Sequence, residues 1–579
     1  MSLPSQAVHA GVLEQAYRRE LDNMVAGEAI RRLWAKDLSL WPASEQQTAS
    51  LSSNLTWLDL PEKMGPYMSR VAEFADAVEA DGFEDAVFVG MGDANLAAEV
   101  VEHLAIAKRW KRLFVLDSTD PSAVQSVHRQ LNYERTLFIF ASKSGKQIES
   151  HALLLYFLEQ LRARGVSAPG RQFVAVTEEN SYLASLAGEY QFRGVFFDPP
   201  GISGRYSALI HFGLLLSGLC RLSPATLLFT AASMNELCRQ AELGEGNPAL
   251  SLAALLAAGA NSGNDRLLLF GTTSLAALTN RVGQLVGVST SKGGRGLIPI
   301  SVEVASELGS YAQGCLAAIF RLHGDEDSGV EEATKKLKAT GIPCVTVELS
   351  TAEEFGAELF KWEVATALTC ALLEVNPFDE PELRQGASAT AEIVARLATK
   401  RGLPASTVRV REAGIELYAE GKTRQQISTL SLSEALRTFF EGSKPDGYVA
   451  TLAFLERSAT LRKILVLMGE QLSSRLGIPS VLSFGPRYLH HLGQVFQGGP
   501  AKGRFLILTG EPAEDIAIPG AGYSFGQLQL ALAMGDFESL ERYQKPVVRL
   551  HLMEGVEQGL TKLEQILQQA LRNIRSGKA

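Results

Sequence analysis

The chain has 579 residues, 46% hydrophobic and 21% charged. That balance excludes a disordered or collagenous protein, and at roughly 150 residues per domain it leaves room for about four domains. Fifty-five Lys and Arg against 64 Asp and Glu leave a net charge of −9 with no basic block, so a nucleic-acid partner is not expected.

Five scattered cysteines, Cys220, Cys238, Cys315, Cys344 and Cys370, show no C-x-x-C spacing. This fits a reducing compartment better than a disulfide framework or a zinc site. Met1 to Gly11 carries no signal pattern. Apolar stretches such as Leu252–Ala260 fall well short of the roughly 18 residues of a membrane helix. A soluble, cytoplasmic protein without membrane contact is expected.

In chain order, the first 80 residues read as helical (Gly11–Leu33, then Pro61–Ala80) and are expected to pack on the unit that follows. From Asp85 onward, short apolar runs alternate with helical patterns: Ala86–Gly90, Leu113–Asp117, Thr136–Ala141 and Phe173–Thr177. Near-continuous Val, Ile, Leu and Phe, rather than strict alternation, points to a parallel sheet covered on both faces. After a helical break around Cys220–Pro248 the pattern restarts at Arg266–Gly271, Leu297–Ser301, Leu316–Leu322 and Pro343–Leu349, followed by a long helix carrying Trp362. A third region offers strands at Tyr448–Phe454, Ser480–Phe484, Phe505–Thr509 and Pro546–Leu552, with a final helix at Gly555–Arg575. The fold class expected is α/β: two doubly wound parallel-sheet units and a smaller α/β C-terminal unit. The boundaries expected are 1–80, 81–235, 236–400 and 401–579.

Parallel α/β sheets bind ligands beyond the carboxyl ends of their strands, where helix N-termini present free N–H groups. Two such turns stand out. Gly90-Met91-Gly92-Asp93-Ala94-Asn95 reads either as a ligand loop or as a tight turn with Asp93 capping the helix; the missing glycine at its sixth position weakens a dinucleotide reading. Ala141-Ser142-Lys143-Ser144-Gly145-Lys146-Gln147 reads as a phosphate cradle, or as a Ser-capped helix with solvated lysines. Lys146 near a helix N-terminus opposes the dipole and is easier to understand beside an anion. Of nine histidines, His490 and His491 sit in a Gly-bounded turn, whereas His211 in an apolar helix reads as packed or hydrogen-bonded. No metal-binding H-E-x-x-H occurs, and neither a metal nor another cofactor is expected.

At these residues the chain resembles the glucose-6-phosphate isomerase half of bacterial bifunctional transaldolase/glucose-6-phosphate isomerases. The resemblance begins near Leu33-Trp34-Ala35-Lys36-Asp37 and passes through Gly201–Gly213 (GISGRYSALIHFG), Phe360–Leu368 (FKWEVATAL) and Asn376–Leu383 (NPFDEPEL). It continues through Phe484–Gln494 (FGPRYLHHLGQ) to Ala517–Asp536. It implies two sugar-isomerase (SIS) folds sharing a sugar-phosphate pocket. The family interconverts glucose 6-phosphate and fructose 6-phosphate without metal or nucleotide: an acid/base pair opens the ring, a glutamate moves a proton between C1 and C2, and an arginine steadies the enediolate.

Carried over, the resemblance makes Ser142 and Ser144 phosphate-binding hydroxyls around Lys143, Arg205 the enediolate-stabilising arginine, and His490 a ring-opening candidate, with Phe496 at the family's second histidine. It also exposes departures. G-M-G-G-S-S becomes GMGDAN, so Asp93 follows Gly92 beside the phosphate; S-K-S-G-T-T becomes SKSGKQ, which puts Lys146 and Gln147 at threonine positions. A-E-S-T-G-K becomes Gly287-Val288-Ser289-Thr290-Ser291-Lys292, so the base position is Val288; Glu380 and Ala387 stand for a glutamine and a lysine. Asp93 would pair with Lys146 and satisfy the anion seat, or turn aside and leave Lys143 and Lys146 to a phosphate. A carboxylate at Glu303, Glu307 or Glu380 would have to replace the missing base. Two functions follow: a sugar-phosphate protein with lost or strongly reduced isomerase chemistry, acting as a sensor or scaffold, or an active isomerase with a relocated base. A separate transaldolase or pentose-phosphate dehydrogenase is the partner suggested by analogy, and homo-oligomers are common in the family.

Overall fold

The structure is a computed structural model that describes residues 3–105, 110–303, 314–326, 329–399, 401–427, 431–572 and 574. Its contacts divide the chain into two compact units. One comprises the segment up to Val115, Asn132–Gln147 and Gly165–Glu380; the other comprises Leu116–Leu131, Ile148–Arg164 and the chain from Pro381 on.

The first unit holds two sheets. In one, the strands run in the order Arg112–Leu116, Asp85–Gly90, Thr136–Ala141, Phe173–Glu178, Gly194–Asp198. The last four are paired parallel. Asp85–Gly90 and Thr136–Ala141 are buried at every residue, which is why Ala86–Gly90 and Leu137–Ala141 are unbroken apolar runs. Gly194–Asp198 escapes that signature because it is an edge strand with Phe197 exposed. The strand order reverses at Asp85–Gly90, so the crevice beyond its carboxyl end and that of Thr136–Ala141 is a topological switch point.

The other sheet of this unit runs Ser5–His9, Cys344–Leu349, Cys315–Leu322, Arg266–Gly271, Ile298–Ser301. The N-terminal segment, expected to be helical, therefore opens with a strand that adds antiparallel to Cys344–Leu349; the other pairs are parallel. Five residues of mixed exposure in an edge strand leave no long apolar run to read. Helices Glu14–Ala26 and Met68–Ala80 lie within the two stretches read as helical. Helix Phe355–Leu372 is buried from Phe355 through Cys370 and packs in a core with Trp57, Phe360 and Trp362.

In the second unit a six-stranded sheet runs Val408–Glu412, Ile415–Tyr418, Val547–Leu552, Gly503–Gly510, Tyr448–Ala453, Ser480–Phe484. The last four strands are parallel. The first two form a hairpin whose two turn residues, Ala413 and Gly414, both have positive φ, as a type I′ turn requires. This hairpin has no counterpart among the expected strands because it turns on Ala-Gly rather than on Asn-Gly or Asp-Gly. The three-sheet α/β architecture is the one expected.

Candidate functional site

The switch-point crevice of the first sheet is lined by the two loops singled out in the sequence. After strand Asp85–Gly90, Gly92 takes φ 65° as the N-cap of helix Asp93–Leu104. Asp93 is thus the first helical residue rather than the cap. Its carboxylate, about a third exposed, reaches Arg281 Nη1 at 3.3 Å. The expected alternative pairing with Lys146 is not the one formed: Lys146 is exposed, and the cation beside Asp93 comes from helix Ala276–Thr290. A Cβ on Gly204 would overlap the Asp93 carboxylate, so a glycine at 204 lets this approach happen.

In the second loop the Ser142 hydroxyl accepts the Gly145 N–H at 3.1 Å and the Ser144 hydroxyl accepts the Lys146 N–H at 3.3 Å. Each hydroxyl keeps its own proton to donate, which suits an anionic ligand. Gly145 has φ +69°, and a Cβ there would overlap the Leu183 backbone; this position needs glycine on both counts. Lys143 points back into the protein and donates to the Ile202 carbonyl. Burial pulls its ammonium below the ordinary value, while Asp198, Asp93 and Glu178 pull the other way. The Gln147 Oε1 is buried without a hydrogen-bond partner. His211 is packed as expected: buried, and bonded through Nδ1 at 3.2 Å to the Asp198 carboxylate.

Arg205 is 3% exposed and fully engaged. Nε donates to Ser289 Oγ at 3.3 Å, Nη2 to the Pro377 carbonyl at 3.0 Å, and Nη1 pairs with Glu380. The Glu380 side chain is 32% exposed. Val288 is buried on helix Ala276–Thr290, and its carbonyl accepts from Lys292 Nζ at 3.1 Å. Lys292 also donates to the Ser289 carbonyl at 2.5 Å and lies 3.8 Å from Asp379; burial lowers it to about 8. Of the carboxylates considered as a replacement base, Glu380 meets Arg205, Glu303 is exposed, and Glu307 lies outside the described residues.

In the second unit, His490 Nε2 lies 2.9 Å from the carboxylate of Glu149, on helix Ile148–Ala163. Burial alone would raise the Glu149 carboxyl, but the charge of His490 and its hydrogen bond bring it below the ordinary value. A partly exposed imidazole bonded to a buried carboxylate is held in a fixed orientation, as an acid/base group must be. His491 is buried, Phe496 is buried, and Ala387 is exposed on helix Pro381–Ala398.

Three functional candidates were missed in the sequence. Glu149 stands two residues past the cradle loop. Arg281 is the one charged residue of helix Ala276–Thr290, and a lone arginine there carries no motif. Glu363 lies inside the matched FKWEVATAL segment, 2% exposed, and burial raises its carboxyl to about 8 against the pull of Arg281 and an Ala208 amide bond. Among the described residues, no group of three or more His, Cys, Asp and Glu could hold a metal ion, and no helix is long and apolar enough to cross a membrane.

No known protein-family model matches the chain. A glucose-6-phosphate isomerase from Rubrobacter xylanophilus is 26% identical over 365 residues, covering 54% of this chain and 83% of the relative. Among solved structures, a hypothetical protein from Thermus thermophilus superposes with a TM-score of 0.58 at 23% identity, covering 68% of this chain and 100% of the other. A glucose-6-phosphate isomerase from Chlamydia trachomatis gives 0.51 at 19% identity, covering 64% and 78%. The chain thus shares their fold and is similar in sequence to proteins of that activity.

Proposed function

We propose that this chain is a sugar-phosphate-binding protein of the glucose-6-phosphate isomerase type whose isomerase chemistry is lost or strongly reduced, leaving a non-catalytic sensor or scaffold subunit of central carbon metabolism. Aldose–ketose isomerisation moves a proton between adjacent carbons through an enediolate, so it needs a base that reaches both carbons and a fixed cation for the oxyanion. The observation that carries the reading is Val288, an aliphatic side chain at the position where the resemblance sets the base. General-base catalysis is worth about 10²–10⁴ in rate, and valine accepts no proton. Arg205, the cation of the scheme, is already matched by Glu380. The named relatives and the free Ser142 and Ser144 hydroxyl protons support a phosphosugar as ligand.

A coupled assay from glucose 6-phosphate to fructose 6-phosphate, run beside calorimetric titration with glucose 6-phosphate and 6-phosphogluconate, tests the reading. Saturable binding with turnover below about 1 s⁻¹ is expected; faster turnover overturns it. The second reading, an active isomerase using Glu380 as base, is favoured by one contact: a partly exposed carboxylate against Arg205. Under that reading Glu380→Gln abolishes turnover. A cytoplasmic location, self-association, and a separate transaldolase or pentose-phosphate dehydrogenase as partner belong to the same proposal by analogy with the relatives.

A further inference from the structure

Arg281 is 2% exposed and its bonds are unequal. It donates to Gln284 Oε1 at 2.8 Å and to the Arg205 carbonyl at 2.8 Å, but reaches the Gly204 carbonyl and Asp93 Oδ1 only at 3.3 Å. Asp93 is the one carboxylate paired with it among the described residues. A buried guanidinium is thus neutralised by a partly exposed acid, seated where helix Asp93–Leu104 begins. The same helix carries a second sign of a ligand. Asn95 is fully buried, and neither its Nδ2 nor its Oδ1 has a partner. A Cβ on Gly90 would meet Asn95 Oδ1 at 2.8 Å and the Ala141 carbonyl at 3.0 Å, so this amide is directed at the gap between the two strand ends. A buried side-chain amide leaves both groups unmatched at a cost, unless something in the crevice pairs with them.

We propose that Arg281 is an anion-binding residue of this crevice and that Asp93 is its internal counter-ion, displaced when the phosphate group of a phosphomonoester binds. Asp93 can leave, because its carboxylate already faces solvent in part and is held by one long bond. The incoming group brings a charge of about −1.5 to −2 and three acceptor oxygens against the single charge of Asp93. It also meets the helix N-terminus, which favours anions. Arg281, released from Asp93, then faces the dianion, and the Asn95 amide gains a polar neighbour. This deepens the phosphosugar reading above and rests on it: it names the residue that holds the phosphate and the residue that competes for the seat.

The test is calorimetric titration of the full chain with inorganic phosphate and with glucose 6-phosphate. Removing the counter-ion in Asp93→Ala is expected to tighten binding of both at least tenfold over wild type. Gly204→Ala, which keeps the acid but displaces its carboxylate, is expected to shift affinity in the same direction. Arg281→Lys, which keeps the charge but loses the planar fork, is expected to weaken both ligands at least tenfold in the Asp93→Ala background. Unchanged glucose 6-phosphate affinity in Asp93→Ala and Gly204→Ala, with wild type binding normally, overturns this inference and leaves the phosphosugar reading standing. Phosphate bound tightly by Asp93→Ala while every variant ignores glucose 6-phosphate supports the anion seat and overturns the phosphosugar reading. Absence of binding to either ligand in all variants overturns both.

Discussion

Replacing Glu363 by glutamine should make the protein more stable at alkaline pH and flatten its stability profile. Glu363 is 2% exposed, and burial raises its carboxyl from 4.5 to about 8. Between those values the folded chain holds a proton that the unfolded chain has released. The carboxyl's contribution is therefore fully present below pH 4.5 and is lost as pH rises through about 8. At about 1.4 kcal/mol per pH unit, the wild type should lose about 2 kcal/mol relative to Glu363→Gln between about pH 6 and about pH 8. Glutamine keeps the shape and the acceptor for the Ala208 amide, so the difference isolates ionisation. Trp362, buried next in sequence, reports the transition in urea unfolding followed by tryptophan fluorescence. Parallel pH profiles for the two proteins would refute the assignment of Glu363 as a buried neutral carboxyl.

His490→Ala should leave Glu149 buried without its cation, costing on the order of 1–3 kcal/mol. The pairing now holds the Glu149 carboxyl below its ordinary value, so it stabilises the fold above that value; without His490, burial raises the carboxyl and the loss grows with pH. Unfolding midpoints at acid and alkaline pH should therefore separate for this variant, and equal losses would contradict the coupling. Gly145→Ala combines a φ of +69° with overlap on the Leu183 backbone and should destabilise by on the order of 1–3 kcal/mol, read from the same unfolding curves; a neutral result would mean that the cradle loop relaxes.

The central parallel strands were legible because burial on both faces leaves few polar positions, and Thr136–Ala141 appears with the boundaries its apolar run suggests. Two edge strands were not, since Ser5–His9 and Gly194–Asp198 face solvent in part and read as ordinary loop sequence. The cradle loop was visible through its hydroxyls, glycine and lysines. The partners that decide its charge were not: Arg281 lies 188 positions from Asp93, and Glu380 lies 175 from Arg205. Sequence shows which charges are present near a motif; only the fold shows which distant charge neutralises them. The pairing imagined between Asp93 and Lys146 was local, and the one formed is not.

The central proposal is that, with Val288 at the base position, the proton transfer that isomerisation requires is lost or strongly reduced. The direct measurement is nuclear magnetic resonance of glucose 6-phosphate incubated with the protein in D₂O, following the proton on C2. The proposal predicts loss of that signal at less than about one exchange per second per protein beyond a protein-free control. Washout faster than about 1 s⁻¹ per protein would contradict it, and its disappearance in Glu380→Gln would identify Glu380 as the relocated base.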